Sequence, residues 1–172
     1  MRALTFLLCI AATCSLAIDA AQPVVTKAYV DDKGRVHIVT ANGSDRLIPA
    51  ERDQENVSRI LTAPDGRAVG WLVYSSACCV SYPVPLELVV WRNDHILRRL
   101  RPGMAIWSWA FMKNGRELAF RMSPLHGGWS GESVLLDIAT GKTLDGWSHP
   151  VDENNNDTDV NSIEPEWSKQ IK

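Results

Sequence analysis

The sequence predicts an all-β protein built from two to three antiparallel, blade-like sheet units. Short runs of alternating apolar residues recur along the chain, and most of them are separated by turns that contain Gly. The pattern also repeats: Gly66 and Gly115 lie 49 positions apart, and so do Trp71 and Phe120. Because the turn-plus-strand halves align without a gap, the repetition predicts two copies of one sheet plan.

Composition limits the function classes. A chain of 172 residues is long enough for one domain with a real core, and its apolar fraction of 45% is that of an ordinary globular protein. The net charge of −2 provides no basic field for nucleic acid and no polybasic patch for a membrane surface. We therefore expect no nucleic-acid partner.

Residues 1–20 are predicted to be a secretory signal peptide. A short positive end at Arg2 is followed by the apolar run Leu4 to Leu16 and then by small residues at Ala17 and Ala20. The apolar run is too short to span a bilayer, and no other stretch of the chain could do so. The mature protein is therefore expected to be periplasmic or secreted.

The β-repeat domain is predicted over residues 21–149, beginning with a partial unit at 27–48. In this unit, Lys27 to Val30 and Val36 to Thr40 are predicted strands. Asn42-Gly43 is a strong hairpin signal, after which Asp45 to Ile48 can return as a third strand.

The first long unit is predicted over residues 57–103. Asn56 to Thr62 fits a strand or a single helical turn, and we prefer the strand. A turn at 64–67, in which Pro fixes φ and Gly permits a positive φ, leads to a strand at 68–74. A loop at 75–85 precedes two further predicted strands, Leu86 to Trp91 and Ile96 to Leu100.

The second long unit is predicted over residues 104–149, and its first strand is aromatic. Strict alternation over 104–111 places Trp107, Trp109 and Phe111 on one face, which we expect to point towards the core. If that face were exposed, it would be an aromatic platform for sugar or peptide. Strands at 117–122 and 133–138 and a short strand towards Trp147 complete the unit.

Two motifs carry a resemblance to β-propeller repeats of the TolB-like and WD40-like kind. Pro64-Asp65-Gly66-Arg67 is similar to the turn between the first two strands of such a blade. Leu135 to Lys142 resembles the third strand and the turn that follows it. The resemblance covers about residues 57–147, with a weaker part at 27–48, and it implies blades but no particular activity.

Propellers close with roughly four to eight blades, whereas two units and a fraction are present in this chain. Either several copies associate to close a ring, which would make the protein a homo-oligomer, or the sheets pack face to face as a small sandwich. We favour the sandwich, because a monomer can then bury its own core. Residues 150–172 are predicted to be an acidic mobile tail, whose end could dock back through Ile163, Pro165 and Trp167.

Cys78 and Cys79 are the most unusual residues of the mature chain. In an oxidising compartment two adjacent cysteines can form a vicinal disulfide that stiffens a binding loop. The alternative is a pair of inert, buried thiols. The Cys-x-x-Cys spacing of redox enzymes is absent.

Loop residues supply the remaining candidate binding side chains, which are Tyr82, His126 and Trp129. His126 and Trp129 flank two glycines and could line a site for a small molecule or peptide; the alternative is a surface loop. The four histidines are scattered without ligand spacing, so no metal is expected, and no motif predicts a cofactor or a catalytic residue.

These patterns favour an exported binding module that contacts another protein through loops at one end of its sheets. One alternative is an enzyme, thiol-based at Cys78 and Cys79 or hydrolytic near His126. Another is a structural accessory subunit that completes a propeller together with a partner.

Overall fold

The computed structural model describes residues 23–77, 80–125, 131–148 and 164–171. These residues form three antiparallel sheets, and every strand expected from the sequence is present to within two residues at each end. The strands are β1 (Val25–Val30), β2 (Val36–Thr40), β3 (Asp45–Ile48), β4 (Asn56–Thr62), β5 (Ala68–Ser75), β6 (Val84–Arg92), β7 (His95–Leu100), β8 (Ala105–Met112), β9 (Glu117–Ser123), β10 (Glu132–Asp137) and β11 (Thr143–Ser148).

Each sheet is a meander in which neighbours in sequence are neighbours in space. Sheet A has the order β1-β2-β3, sheet B the order β4-β5-β6-β7, and sheet C the order β8-β9-β10-β11. Sheets B and C are the two long units of the sequence repeat. Gly66 and Gly115 occupy equivalent turns between the first and second strands, with φ of 67° and 79°. Such positive φ values favour Gly, which explains why both turns carry it.

The sheets stack as three layers, with sheet B in the middle. One apolar cluster lies between sheets A and B, and includes Ile38, Trp71 and Trp91. A second lies between sheets B and C, and includes Leu88 and Trp109. Strand β5 contributes to both clusters through alternate residues, so its first six residues are all buried. The all-β fold of packed sheets predicted from the sequence is confirmed.

Residues 164–171 cover the outer face of sheet C. The short helix α1 (Glu166–Lys169) lies there, and Ile171 is buried beside Met112 and Ala119. Trp167 packs against the same cluster, as expected, and its indole N–H donates to Asp145 Oδ2 at 2.9 Å. The acidic segment that precedes these residues lies outside the described ranges, as does the predicted signal peptide.

The aromatic strand β8 corrects one prediction. Trp109 is 1% exposed, but Trp107 is 41% exposed and does not face the core. The register between β8 and β9 shifts between Ile106 and Ser108, which is the mark of a β-bulge. The extra residue breaks the alternation, so the side chain of Trp107 turns outward and its indole N–H donates to Ser123 Oγ at 2.8 Å.

Candidate functional site

The strand ends that flank the long connections of sheets B and C lie at one end of the stack, which we call the loop end. One connection joins β5 to β6 over residues 76–83, and the other joins β9 to β10 over residues 124–131. The opposite ends of the two sheets are tied together, since Arg92 on β6 donates to the Gly115 carbonyl at 2.7 Å and to Asp65 Oδ2 at 3.1 Å. The strand ends that flank both long connections therefore lie on the same side of the molecule.

Of the binding residues predicted from the sequence, the structure describes one. Tyr82 lies on the 76–83 connection at the loop end and is 54% exposed. Cys78, Cys79, His126 and Trp129 lie outside the described residues, so the expectations about them stay predictions.

A cavity of about 230 Å³ lies where the 76–83 connection meets the ends of β5 and β6. Its walls come from three places that are far apart in sequence: the connection between sheets A and B, the adjoining ends of β5 and β6, and the residue that follows β7. The lining residues are Arg52, Asp53, Ser75, Ser76, Leu86, Glu87 and Arg101. We call this cavity the Glu87 pocket.

Glu87 is a carboxylate among the apolar residues 84–91 of β6. Alternation along β6 puts Glu87 on the same face as Val89 and Trp91, which pack into the cluster between sheets A and B. Its partner on β5 is Val73, which belongs to the same cluster. Glu87 is consequently 4% exposed, a degree of burial that is rare for a glutamate unless it is paired.

Only one oxygen of the Glu87 carboxylate is paired within the described residues. Oε2 accepts a hydrogen bond from Arg101 Nη2 at 2.7 Å, and this contact raises the pKa of Arg101. Oε1 is buried and has no hydrogen-bond partner among the described residues. A buried acceptor without a partner costs free energy, so native proteins satisfy such groups with protein, water or ligand.

The charged side chains that line the pocket are balanced in number, with Asp53 and Glu87 against Arg52 and Arg101. Arg99 pairs with Glu51 at 2.9 Å, and the exposed Arg52 lies 3.8 Å from Asp53. Glu55 accepts a hydrogen bond from the Ser76 hydroxyl and makes no ion pair in the part of the chain that the structure describes. Glu51, Glu55 and Arg99 are not among the residues that line the pocket.

Sequence reasoning did not find this pocket. The one available signal is Glu87 itself, a single charge within the run 84–91 of apolar residues. The pairing with Arg101 depends on the hairpin between β6 and β7, and the remaining wall depends on how the connection from sheet A crosses sheet B. Neither is readable from local pattern.

Two further features of the described surface are a larger cavity on sheet C and an aromatic pair on sheet A. A larger cavity of about 470 Å³ lies between residues 164–171 and sheet C, and none of its lining residues has a buried polar side-chain atom without a partner within the described ranges. The outer face of sheet A carries His37 stacked on Tyr29, with ring centroids 4.8 Å apart.

Within the described ranges, no group of three or more His, Cys, Asp or Glu side chains could hold a metal ion, and no helix has the length and apolarity to cross a membrane.

Comparison with known proteins assigns no family. No family model matches the chain, and no curated protein matches it. Among the solved structures, one titled "Crystal structure of the eukaryotic initiation factor" aligns with a TM-score of 0.44 at 9% identity. The alignment covers 76% of this chain and 34% of that chain, so this chain spans about a third of that protein. A likeness at this level assigns neither fold nor function.

Proposed function

We propose that this protein is an exported β-repeat module, with sheets of the propeller-blade kind, that binds another protein through its loop end. The observation that carries the proposal is the Glu87 pocket, where the buried side chain of Glu87 lines a cavity at the loop end, which also carries the exposed Tyr82. Three separate parts of the chain converge there. Export to the periplasm or the exterior remains part of the proposal and is supported by the signal-peptide pattern.

The architecture favours a self-contained binding module over a subunit that completes a ring. A further blade would have to pack on the outer face of sheet C. Residues 164–171 cover that face, and Arg121 on β9 anchors them through Glu164 at 2.7 Å. Ser168 adds a buried hydrogen bond to Ser133 at 3.0 Å. A stack of repeats that ends in a capping segment needs no neighbouring blade on that side.

The test is capture of a partner from the exported fraction of the source cells by the mature protein. We expect wild type to retain one stoichiometric protein, and Glu87→Gln to retain at least about tenfold less, because the charge that holds Arg101 beside the pocket is lost. Arg52→Ala should also weaken capture, and it should not perturb folding because the Arg52 side chain is 93% exposed. Glu117→Gln is the matched control, because Glu117 is a carboxylate at the end of β9 that lies away from the loop end.

Urea midpoints should be measured for all variants, so that a loss of capture can be separated from a loss of fold. Equal capture by wild type, Glu87→Gln and Arg52→Ala would show that the loop end is not the contact surface. If wild type retains no protein, the binding function itself is wrong.

A further inference from the structure

We propose that Asn42 is a site of spontaneous covalent modification, at which the backbone nitrogen of Gly43 attacks the Asn42 side-chain amide. The succinimide ring that forms is opened by water to aspartate or isoaspartate. The site lies in the turn between β2 and β3, apart from the Glu87 pocket, and it is independent of the proposed function. Two Asn-Gly pairs occur in the chain, at 42–43 and 114–115, and the structure favours reaction at the first of them.

The reaction needs only water as a co-reactant. The Gly43 nitrogen gives up its proton to water and forms a bond to Cγ of Asn42, while the bond from Cγ to Nδ2 breaks and ammonia leaves. Water then adds to one of the two ring carbonyls. Opening at Cγ gives aspartate, and opening at the main-chain carbonyl gives isoaspartate, whose backbone is longer by one carbon. Gly suits the position after the asparagine, because it has no side chain to hinder the attacking nitrogen.

The Asn42 amide is held in a way that favours attack on Cγ. Its Oδ1 accepts hydrogen bonds from the Thr40 hydroxyl at 2.7 Å and from the Ser44 N–H at 3.0 Å. The Thr40 hydroxyl lies farther, at 3.2 Å, from its other acceptor, the Ser44 carbonyl. Negative charge develops on Oδ1 during the attack, and donors aimed at that oxygen stabilise it, as in the oxyanion hole of an acyl-transfer enzyme. The turn therefore activates the amide that it contains.

The surroundings of Gly43 leave space for the ring to close. Asn42 and Gly43 are both exposed, and a Cβ built on Gly43 would have no atom within 4 Å. The Gly43 N–H donates to the Thr40 carbonyl at 2.8 Å and must release it before the attack. A hydrogen bond in an exposed turn opens at a low free-energy cost, so the nitrogen is accessible in the folded protein.

Asn114 and Gly115 are the same two residue types in a turn that packing holds in place. Gly115 is buried, and a Cβ built on it would come within 2.6 Å of Ala63. The Gly115 carbonyl accepts a hydrogen bond from Arg92 Nη1 at 2.7 Å, which ties the turn to sheet B. Because the turn must leave these contacts before the ring can close, the second pair should react more slowly than the first.

The test compares the two pairs within one molecule. The mature protein is incubated in native buffer at mildly alkaline pH and, separately, in concentrated urea, and peptide mass spectrometry follows the conversion of amide to acid. We expect Asn42 to react at least about tenfold faster than Asn114 in the folded protein, because opening of the Gly115 turn costs more free energy. In urea, where neither turn is formed, the two rates should be similar.

A variant tests the activation by the turn. Thr40→Val removes one donor to Asn42 Oδ1 and should slow the reaction in the folded protein at least about twofold. A loosened turn would accelerate the reaction, so a slower rate is not explained by partial unfolding. Thr26→Val is the matched control, because the Thr26 hydroxyl donates to the Val39 carbonyl at 3.2 Å, and this variant should react like wild type.

Equal rates at Asn42 and Asn114 in the folded protein would overturn the proposal, and so would a faster reaction at Asn114. A rate at Asn42 that Thr40→Val leaves unchanged or raises would overturn the activation by the turn. These measurements involve no captured protein, so their outcome is separate from that of the binding experiment.

Discussion

At the scale of single residues, the pKa of His37 depends on the neighbours that the fold places beside its ring. On the outer face of sheet A its Nδ1 lies 3.0 Å from Asp45 Oδ2 and its Nε2 lies 3.3 Å from Asp31 Oδ2. The hydrogen bond with Asp45 is the largest cause that raises the pKa of His37 above its usual 6.5. A hydrogen bond from Arg35 lowers the pKa of Asp31, which keeps that carboxylate charged opposite the imidazole.

The stability of the protein should therefore depend on pH through His37. The folded state raises the pKa of His37, so its contribution is complete below 6.5 and is lost as pH rises through the folded value. We expect the free energy of unfolding of wild type to fall between about pH 6 and about pH 9 by more than that of His37→Gln. Urea denaturation across this range measures the difference.

His95→Gln controls for the loss of a histidine, because His95 is an exposed residue at the start of β7 whose ring contacts the Asn93 carbonyl. A slope that is identical in wild type and His37→Gln would show that the two carboxylates do not stabilise the imidazolium.

At the scale of elements, the contact between β5 and β8 fixes how sheet B meets sheet C. The indole ring of Trp109 lies directly against Gly70, so that a Cβ on Gly70 would come within 2.6 Å of the ring. Trp109 also meets Phe111 edge to face, with ring centroids 5.2 Å apart. Gly in the middle of a strand is unfavourable by itself, so its presence on β5 is explained by this close approach.

Gly70→Ala should consequently destabilise the protein, although Ala suits a strand better than Gly. Overpacking of a core typically costs about 1–3 kcal/mol, measured as the change in the free energy of unfolding in urea. The effect should disappear in a Trp109→Leu background, where the added methyl has space.

Gly146→Ala on β11 is the matched control, because the nearest atom to its added Cβ is 3.9 Å away. This variant should be neutral or slightly stabilising. The explanation by close packing fails if Gly70→Ala is as well tolerated as Gly146→Ala.

At the scale of the whole molecule, sheet B makes the stack cooperative. Both apolar clusters contain residues of this sheet: Trp71 and Val89 face sheet A, while Leu72 and Leu88 face sheet C. Neither outer sheet can separate without exposing one face of the central one. The three sheets should therefore unfold in a single transition.

Two matched substitutions test this cooperativity. Ile38→Val removes a methylene from sheet A, and Ile106→Val removes one from sheet C; both side chains are fully buried. Each substitution should lower the free energy of unfolding by about 0.5–1.5 kcal/mol. The whole urea transition should shift, and the curves followed by circular dichroism and by tryptophan fluorescence should still coincide. If the two probes give different unfolding curves in either variant, an outer sheet unfolds alone.

The sequence by itself determined the strands and their order. Alternation with period two and the turn glycines Gly66 and Gly115 act over a few residues, so they can be read locally. Even β4 was predicted correctly as a strand where a helical turn was the alternative. The 49-residue spacing also predicted that sheets B and C share one plan, which the structure bears out.

Only the tertiary structure decided which side chains are buried and which meet. The bulge that turns Trp107 outward has no local signal, because it depends on the pairing of β8 with β9. The Glu87 pocket likewise joins residues 52, 76, 87 and 101, which belong to different elements. Alternation in the sequence predicts which residues of a strand share a face. Which other segment packs against that face is decided by contacts between parts of the chain that are distant in sequence. For that reason the strands of this protein were predictable, and its candidate site was not.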